Sequence, residues 1–334
     1  MLQLDQNNLL ITKTLTERVN AVEEKSLDRI VTDFDFTTYH LSTFPDQKNQ
    51  ILISVYLKCW DDLVKYGVVD YLKGKYSPYS DVLTILDPKD AETNYNYSIV
   101  LDLERARQSD ATSVINEISY LKRHCLAAPF ERGFARYDEL AEKYASSNTY
   151  SEEIQGELST EEVLVIKYRG AEECIFIKPS FDRVTVIFST TFKDEMDKTF
   201  GKVFLQEFVD ARKRSVQTAP QVLFTHNEPP LDIRKAAPTT KFDTNKGYVT
   251  FVLFPRHLVK GDRRDNCISH IQYFRNYFHY HIKCSKAYMH SRMRHRVKEF
   301  LKVLNRAKPE NVDNDGRAIE NRKTASGRRF DARA

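Results

Sequence analysis

Glycine is scarce in this chain. Its 334 residues include ten glycines, and no two stand closer than seven positions apart. Phosphate cradles need glycine where backbone amides approach the ligand, as in G-x-G-x-x-G or G-x-x-x-x-G-K. Neither pattern can be drawn here, so Rossmann and P-loop nucleotide sites are excluded and no cofactor is expected. Cysteine is sparse too. Cys59, Cys125, Cys174, Cys267 and Cys284 are odd in number and scattered, which suits reduced thiols of a cytosolic protein rather than a disulfide framework. No apolar run approaches the roughly 18 residues of a membrane span. The opening stretch MLQLDQNNLLITKTLTERV has no basic region followed by an apolar block, so no signal peptide is expected. G-x-S-x-G and C-x-x-C are also absent, and no serine or cysteine has an obvious local base, so an enzyme is not expected.

What is present is a long uninterrupted stretch, Asp265 to Ala307, without Gly or Pro inside it. Gly261 and Pro309 punctuate its ends, and Asp265 is the expected N-cap. Apolar residues fall at Ile268, Ile271, Phe274, Phe278, Ile282, Met289, Met293, Val297, Phe300 and Leu304, alternating threes and fours with one missed turn near Ser285. That period predicts one helix with a continuous apolar seam. Such a helix is about 65 Å long at 1.5 Å per residue. A domain of about 130 residues has a radius of gyration near 14 Å and cannot cover it. Either the helix breaks near Ser285 and stays in the core, or its far half packs on a partner chain. The second reading is preferred, because each large apolar side chain left in water forgoes about 1.5–3 kcal/mol.

The same stretch is the basic pole. Between Arg263 and Lys308 twelve cations face two anions, while the whole chain carries only +4. Residues 1–262 are therefore acidic, at −7. A basic rod attracts acidic surfaces. Nucleic acid is not expected, because Met293, Val297 and Phe300 interleave with the cations of Arg292–Lys298 and want an apolar partner. His279, His281 and Cys284 do not make a metal site, since positions 279 and 281 lie about 200° apart on a helix. The pairs Asp33/Asp35 and Asp102/Glu104 share strand faces, but a solvated strand end explains them equally well.

Ahead of the long helix the chain reads as two halves. Residues 9–25 are expected to be helical, 34–41 and 51–58 strands, 61–75 a helix, 97–103 a strand, and 111–127 a helix, with Pro129 interrupting before a second helical stretch to about 144. Residues 145–160 are polar and acidic and are taken as a linker. Strands are then expected at 163–168, 173–178, 184–190, 221–224 and 248–254, with a helix over 194–212 whose Met196, Phe200, Val203, Phe204 and Phe208 face inward. The order repeats: ILISVYLK and its following helix parallel VTVIFST and its helix, and Tyr97 sits 151 residues before Tyr248. The expected fold is α/β of the α+β type: two related sheet-plus-helix domains (1–144 and 161–262), the long helix (263–308) and a disordered tail (309–334).

Several long strings carry a resemblance. They are Arg183–Arg212, Ala219–Leu231, Tyr248–His257, Tyr277–Arg294 and Phe300–Pro309, with Tyr120–Cys125 also fitting. Over about residues 8–309 the chain resembles the roughly 34 kDa subunit family of the actin-related protein 2/3 complex, departing from it in 134–160 and in the tail. The resemblance implies a non-catalytic scaffold in a cytosolic, seven-subunit nucleator of branched actin, working at cortical actin patches. It implies that the C-terminal helix pairs with subunit 4, that the two actin-related proteins are fellow subunits and bind the ATP, and that the dimer touches the mother filament. On that reading the seam Ile268 to Leu304 clamps the partner helix, and Arg292, Arg294, Arg296, Lys298 and Arg306 face acidic actin. The competing reading is a stand-alone adaptor that binds anionic lipid or nucleic acid through the basic helix.

Overall fold

The computed structural model describes residues 4–23, 25–145, 156, 160–236 and 245–307. It has two five-stranded antiparallel sheets. The first contains β1 (Asp28–Asp33), β2 (Thr37–Thr43), β3 (Gln50–Tyr56), β4 (Leu83–Ile85) and β5 (Tyr97–Asp102), in the order β1-β2-β3-β5-β4. The second contains β6 (Leu164–Ile166), β7 (Ile175–Pro179), β8 (Val184–Thr191), β9 (Gln221–His226) and β10 (Lys246–Leu253), in the order β6-β7-β8-β10-β9. The two orders are the same, with the fifth strand inserted between the third and fourth each time. The duplicated unit inferred from the spacing is therefore present as a repeated topology.

Helices fill equivalent positions in the two repeats. Between β3 and β4 lie α2 (Trp60–Lys65) and α3 (Val68–Tyr76), separated by Gly67 at φ 84°. That left-handed residue splits the single helix expected over 61–75. Before β1 stands α1 (Leu9–Asn20), and after β5 come α4 (Leu103–Gln108), α5 (Ala111–Ser119) and α6 (Leu121–Lys143). In the second repeat α7 (Glu195–Arg214) lies between β8 and β9, and α8 (Asp262–Ala307) follows β10.

Strand alternation builds the first core face: Tyr39, Leu41, Ile51, Ile53, Val55, Tyr97, Ile99 and Leu101 are all buried. Helix α6 is central. All ten residues from Leu121 to Phe130 are buried, and Phe130 and Phe134 join the same core cluster as Ile175, Ile177 and Val186 of the second sheet. Pro129 sits inside α6 without ending it, contrary to expectation. A proline in a helix interior costs about 3 kcal/mol. Burial of several large side chains at about 1.5–3 kcal/mol each outweighs that. Gly133 allows the close approach, since a Cβ there would stand 2.8 Å from Ile177 Cγ2.

Two further expectations are corrected. The stretch 34–41 is not one strand: the chain turns at Phe34–Phe36, with Asp35 at φ 63° and Phe36 at φ 59°, and Asp33 pairs with Thr37 across the hairpin. Helix α7 presents only part of the expected face: Phe200 and Phe204 are partly buried against the core. Gly201 and Leu205 are its buried residues, while Met196, Val203 and Phe208 are exposed. Glycine carries no apolar signal, yet Gly201 is the point of closest packing: a Cβ there would meet Phe192 Cε1 at 2.8 Å and Phe278 Cζ at 3.0 Å. The expected linker (145–160) falls mostly, and the expected tail (309–334) entirely, outside the described residues.

Candidate functional site

Helix α8 begins at Asp262, one residue past Gly261 at φ 95°, and runs unbroken through Ser285. Asp265 is thus inside the first turn rather than the N-cap, and its carboxylate accepts from Arg123 Nη2 at 3.2 Å. Two compact units meet within this helix, Met1–Lys283 and Cys284–Ala334.

The part of α8 in the first unit belongs to the chain's own core. Ile268, Ile271, Phe278 and Ile282 are buried there. Phe274 is half-buried, with its ring 4.6 Å from that of Phe251 and 5.4 Å from that of Phe188. The inner five seam positions are therefore already occupied by the second sheet and α7. Buried polar groups fix the register. Arg264 donates to both carboxylate oxygens of Asp138 at 2.9 Å. Arg123 on α6 donates to Ser269 Oγ at 2.9 Å. His279 Nε2 and Thr190 Oγ1 are 2.8 Å apart. Burial, helped by Arg275 and Lys283, pushes the His279 imidazole down to about 3. His279 is therefore a neutral hydrogen-bonding core residue at ordinary pH. His281 instead stacks on Phe204 at 5.4 Å. Among the described residues no group of His, Cys, Asp and Glu could hold a metal ion.

The second unit carries the outer five seam residues. Met289, Met293, Val297, Phe300 and Leu304 are between 42% and 63% exposed. At about 100° per residue they fall within an arc of about 80°, so they form one stripe. Tyr288, Leu301 and Val303 widen the apolar surface. Arg292, Arg294, Arg296, Lys298 and Arg306 are all exposed, but they do not share a face. By the same geometry Arg296 lies beside the stripe, Arg292 and Arg294 lie about 100° to either side of its centre, and Lys298 and Arg306 point away from it. Arg292 lies over the Tyr288 ring at 5.8 Å. What this surface can do chemically is bury the stripe against another apolar element and meet acidic groups around it.

A second feature was not legible in the spacing. Asp35, at the hairpin tip, is buried rather than solvated. It accepts from Arg169 Nη1 at 3.1 Å, Lys122 Nζ at 3.3 Å and Asn276 Nδ2 at 2.8 Å. Arg169 also reaches Glu173 at 2.6 Å, and Glu173 takes Arg275 at 2.8 Å. Burial alone would raise the Asp35 carboxyl, but Lys122, Asn276 and Arg169 outweigh it and hold the group below its ordinary value. One charge cluster thus joins the first sheet's hairpin, α6, the loop after β6 and α8. The other carboxylate pair has a plainer role: Asp102 caps α4 by accepting from the Glu104 and Arg105 amides. Asp35 and Phe36 occupy left-handed conformations at a cost of roughly 1–2 kcal/mol each for non-glycine residues, so the cluster holds a strained turn in place.

A repeated five-stranded antiparallel sheet unit, ending in a basic helix with an exposed apolar stripe, defines a duplicated α+β protein with a long C-terminal helix. The chain belongs to the p34-Arc family, described as the 34 kD subunit of the Arp2/3 complex, whose profile matches residues 53–311. It is 49% identical to the actin-related protein 2/3 complex subunit 2 of Schizosaccharomyces pombe, over 99% of each chain. It is 34% identical to the protein of the same name from Dictyostelium discoideum, over 96% of this chain and 97% of that one. Among the described residues no helix is long and apolar enough to cross a membrane.

Proposed function

We propose that this chain is a non-catalytic scaffold subunit of the Arp2/3 complex that supports nucleation of branched actin filaments in the cytoplasm, at cortical patches. Its two repeats, taken as domains 1–144 and 161–262, carry α8, and the outer half of α8 pairs with subunit 4. The observation that carries this reading is the bare stripe Met289, Met293, Val297, Phe300 and Leu304. Left in water, each of these large side chains forgoes about 1.5–3 kcal/mol. An apolar stripe on a helix is buried by a second helix with a matching seam.

The outward cations Lys298 and Arg306 then face acidic actin, with Arg292, Arg294 and Arg296 on the flanks of the helix pair. The family membership and the relatives' names support the complex; the sign of the charge supports the filament.

The test is co-purification. Met293→Asp with Val297→Asp leaves the inner core untouched and is expected to release the partner chain from affinity-purified complex. A complex that keeps its full set of chains after both changes would show that the stripe is not the contact. Arg294→Glu with Lys298→Glu is expected to keep the complex whole while weakening filament binding, more so as salt rises. Unchanged branch density would remove these residues from the filament contact.

A further inference from the structure

The hairpin tip Phe34-Asp35-Phe36 presents two aromatic rings outward. Phe34 is 47% and Phe36 55% exposed, although the aspartate between them is buried. Leu9 and Leu10 are more than half exposed and line one shallow cavity with Phe34, so the apolar surface extends beyond the tip. The turn is not there for want of an easier sequence. Glycine or asparagine would take the left-handed geometry freely, and a Phe at φ 59° does not. Strain of this kind is kept where the surroundings over-determine it, and here they do, through Lys122, Arg169 and Asn276 on Asp35. The buried clasp makes the exposed rings rigid.

The charge around the rings is asymmetric. Lys58 Nζ lies 5.1 Å and the Arg169 guanidinium 4.7 Å from the centroid of Phe36. Arg169 already holds two carboxylates, Asp35 and Glu173. Lys58 is exposed and makes no ion pair among the described residues. The Leu9 side carries Asp5 instead. An anion therefore fits at Lys58, beside Phe36, and an apolar side chain fits in the cavity that Phe34 lines with Leu9 and Leu10.

We infer that the Phe34–Phe36 turn with Lys58 is a second docking site, for an acidic segment of another chain in the same assembly. Rigid aromatic anchors are enriched in the buried centre of interfaces, and a charge at the rim selects a partner of opposite sign. A permanent neighbour rather than a passing one is indicated by the apolar surface that Leu9, Leu10 and Phe34 share, with exposed Phe36 two residues on, which an unassembled chain would leave as an aggregation liability. The inference rests on the reading that the chain works inside a multichain complex. It does not depend on the α8 stripe.

The experiment places photoreactive benzoyl-phenylalanine at position 34 of the full-length chain in its natural complex. Co-purifying chains are scored first, and irradiation follows. The expected result is a crosslink to another chain of the complex, in a peptide bearing Asp or Glu within a few residues of the crosslink. In the same background Phe36→Gly or Lys58→Glu lowers the yield about tenfold, the size of effect one anchor residue carries. Phe36→Gly is also expected to melt at or above the unmodified chain, because glycine relieves the left-handed strain. Crosslinks confined to this chain, or formed only when actin filaments are added, would overturn the inference while the co-purifying chains keep the complex reading intact. A Phe36→Gly chain that melts lower would also overturn it, since the ring would then serve the fold.

Discussion

Arg169 and Asp35 are 3.1 Å apart, Nη1 to Oδ1, and they come from different repeats. Asp35 closes the first hairpin of the first sheet, and Arg169 follows the first strand of the second. Both are largely buried, so the pair acts as an internal charge clasp with Lys122, Asn276 and Glu173 around it. Breaking a buried pair on one side leaves a charge without compensation, which costs about 3–5 kcal/mol. Asp35→Ala and Arg169→Ala are each expected to destabilise the chain by about that amount, and the double variant by less than the sum. Urea unfolding of the four proteins measures this. Additive costs would mean that the two residues do not act as a pair.

Asp35 and His279 should shape stability in acid differently. His279 is held down to about 3 in the fold, against an ordinary 6.5. The unfolded chain therefore binds a proton that the native state refuses between those values, so the contribution is complete above pH 6.5 and falls as pH drops. The slope is at most about 1.4 kcal/mol per pH unit. His279→Gln should flatten the decline of the urea midpoint below pH 6.5. The Asp35 carboxyl lies below its ordinary 3.8, so its contribution is present above that value and is lost only at lower pH. An unchanged profile in His279→Gln would assign the acid sensitivity to other groups.

Position 201 is expected to reject even one methyl. The added Cβ of Gly201→Ala would stand 2.8 Å from Phe192 Cε1 and 3.0 Å from Phe278 Cζ. Helix propensity favours alanine by about 1 kcal/mol. Overpacking between α7, Phe192 and α8 costs about 1–3 kcal/mol. The net expectation is a lower melting temperature, read by calorimetry. A higher one would mean that the two phenyl rings step aside freely.

The two halves of the α8 seam should respond in opposite ways. Ile282 is in the chain's own core, and a buried carboxylate there lacks a partner. Ile282→Asp is expected to destabilise the chain by more than about 3 kcal/mol. Met293→Ser is exposed and should leave unfolding within about 0.5 kcal/mol of the parent. Circular dichroism melts of the two variants check this. Equal losses would mean that the outer stripe also serves the fold of the single chain.

Much of this fold was legible because its signals are periodic. The alternation in ILISVYLK and YVTFVLF marks central strands, and the Tyr97–Tyr248 offset anticipates the shared strand order. The long helix was legible from its unbroken stripe. Three of the differences have local causes. The stretch FDFTTYHL looks like one strand because its turn uses Asp and Phe in a conformation that normally advertises itself with glycine. Pro129 looks like a stop because the burial that overrides it comes from a sheet about fifty residues further on. The inner face of α7 centres on Gly201, which has no side chain to register in an apolar pattern. The seam is continuous in its spacing, which predicts only that the far half leaves the domain. Its division at Lys283 depends on how far the second sheet reaches along the helix, and no residue in the helix encodes that.

Asp35 and Asn276 stand 241 residues apart in the chain. A ribosome adds about 5–20 residues per second. The carboxylate at the first hairpin therefore waits on the order of 10–50 s before Asn276 exists. For the later part of that interval the N-terminal repeat has been made with its turn only partly held, and Phe34 and Phe36 are accessible to whatever surrounds the nascent chain. The arrival of the last helix is thus a late step of synthesis that completes the first hairpin made.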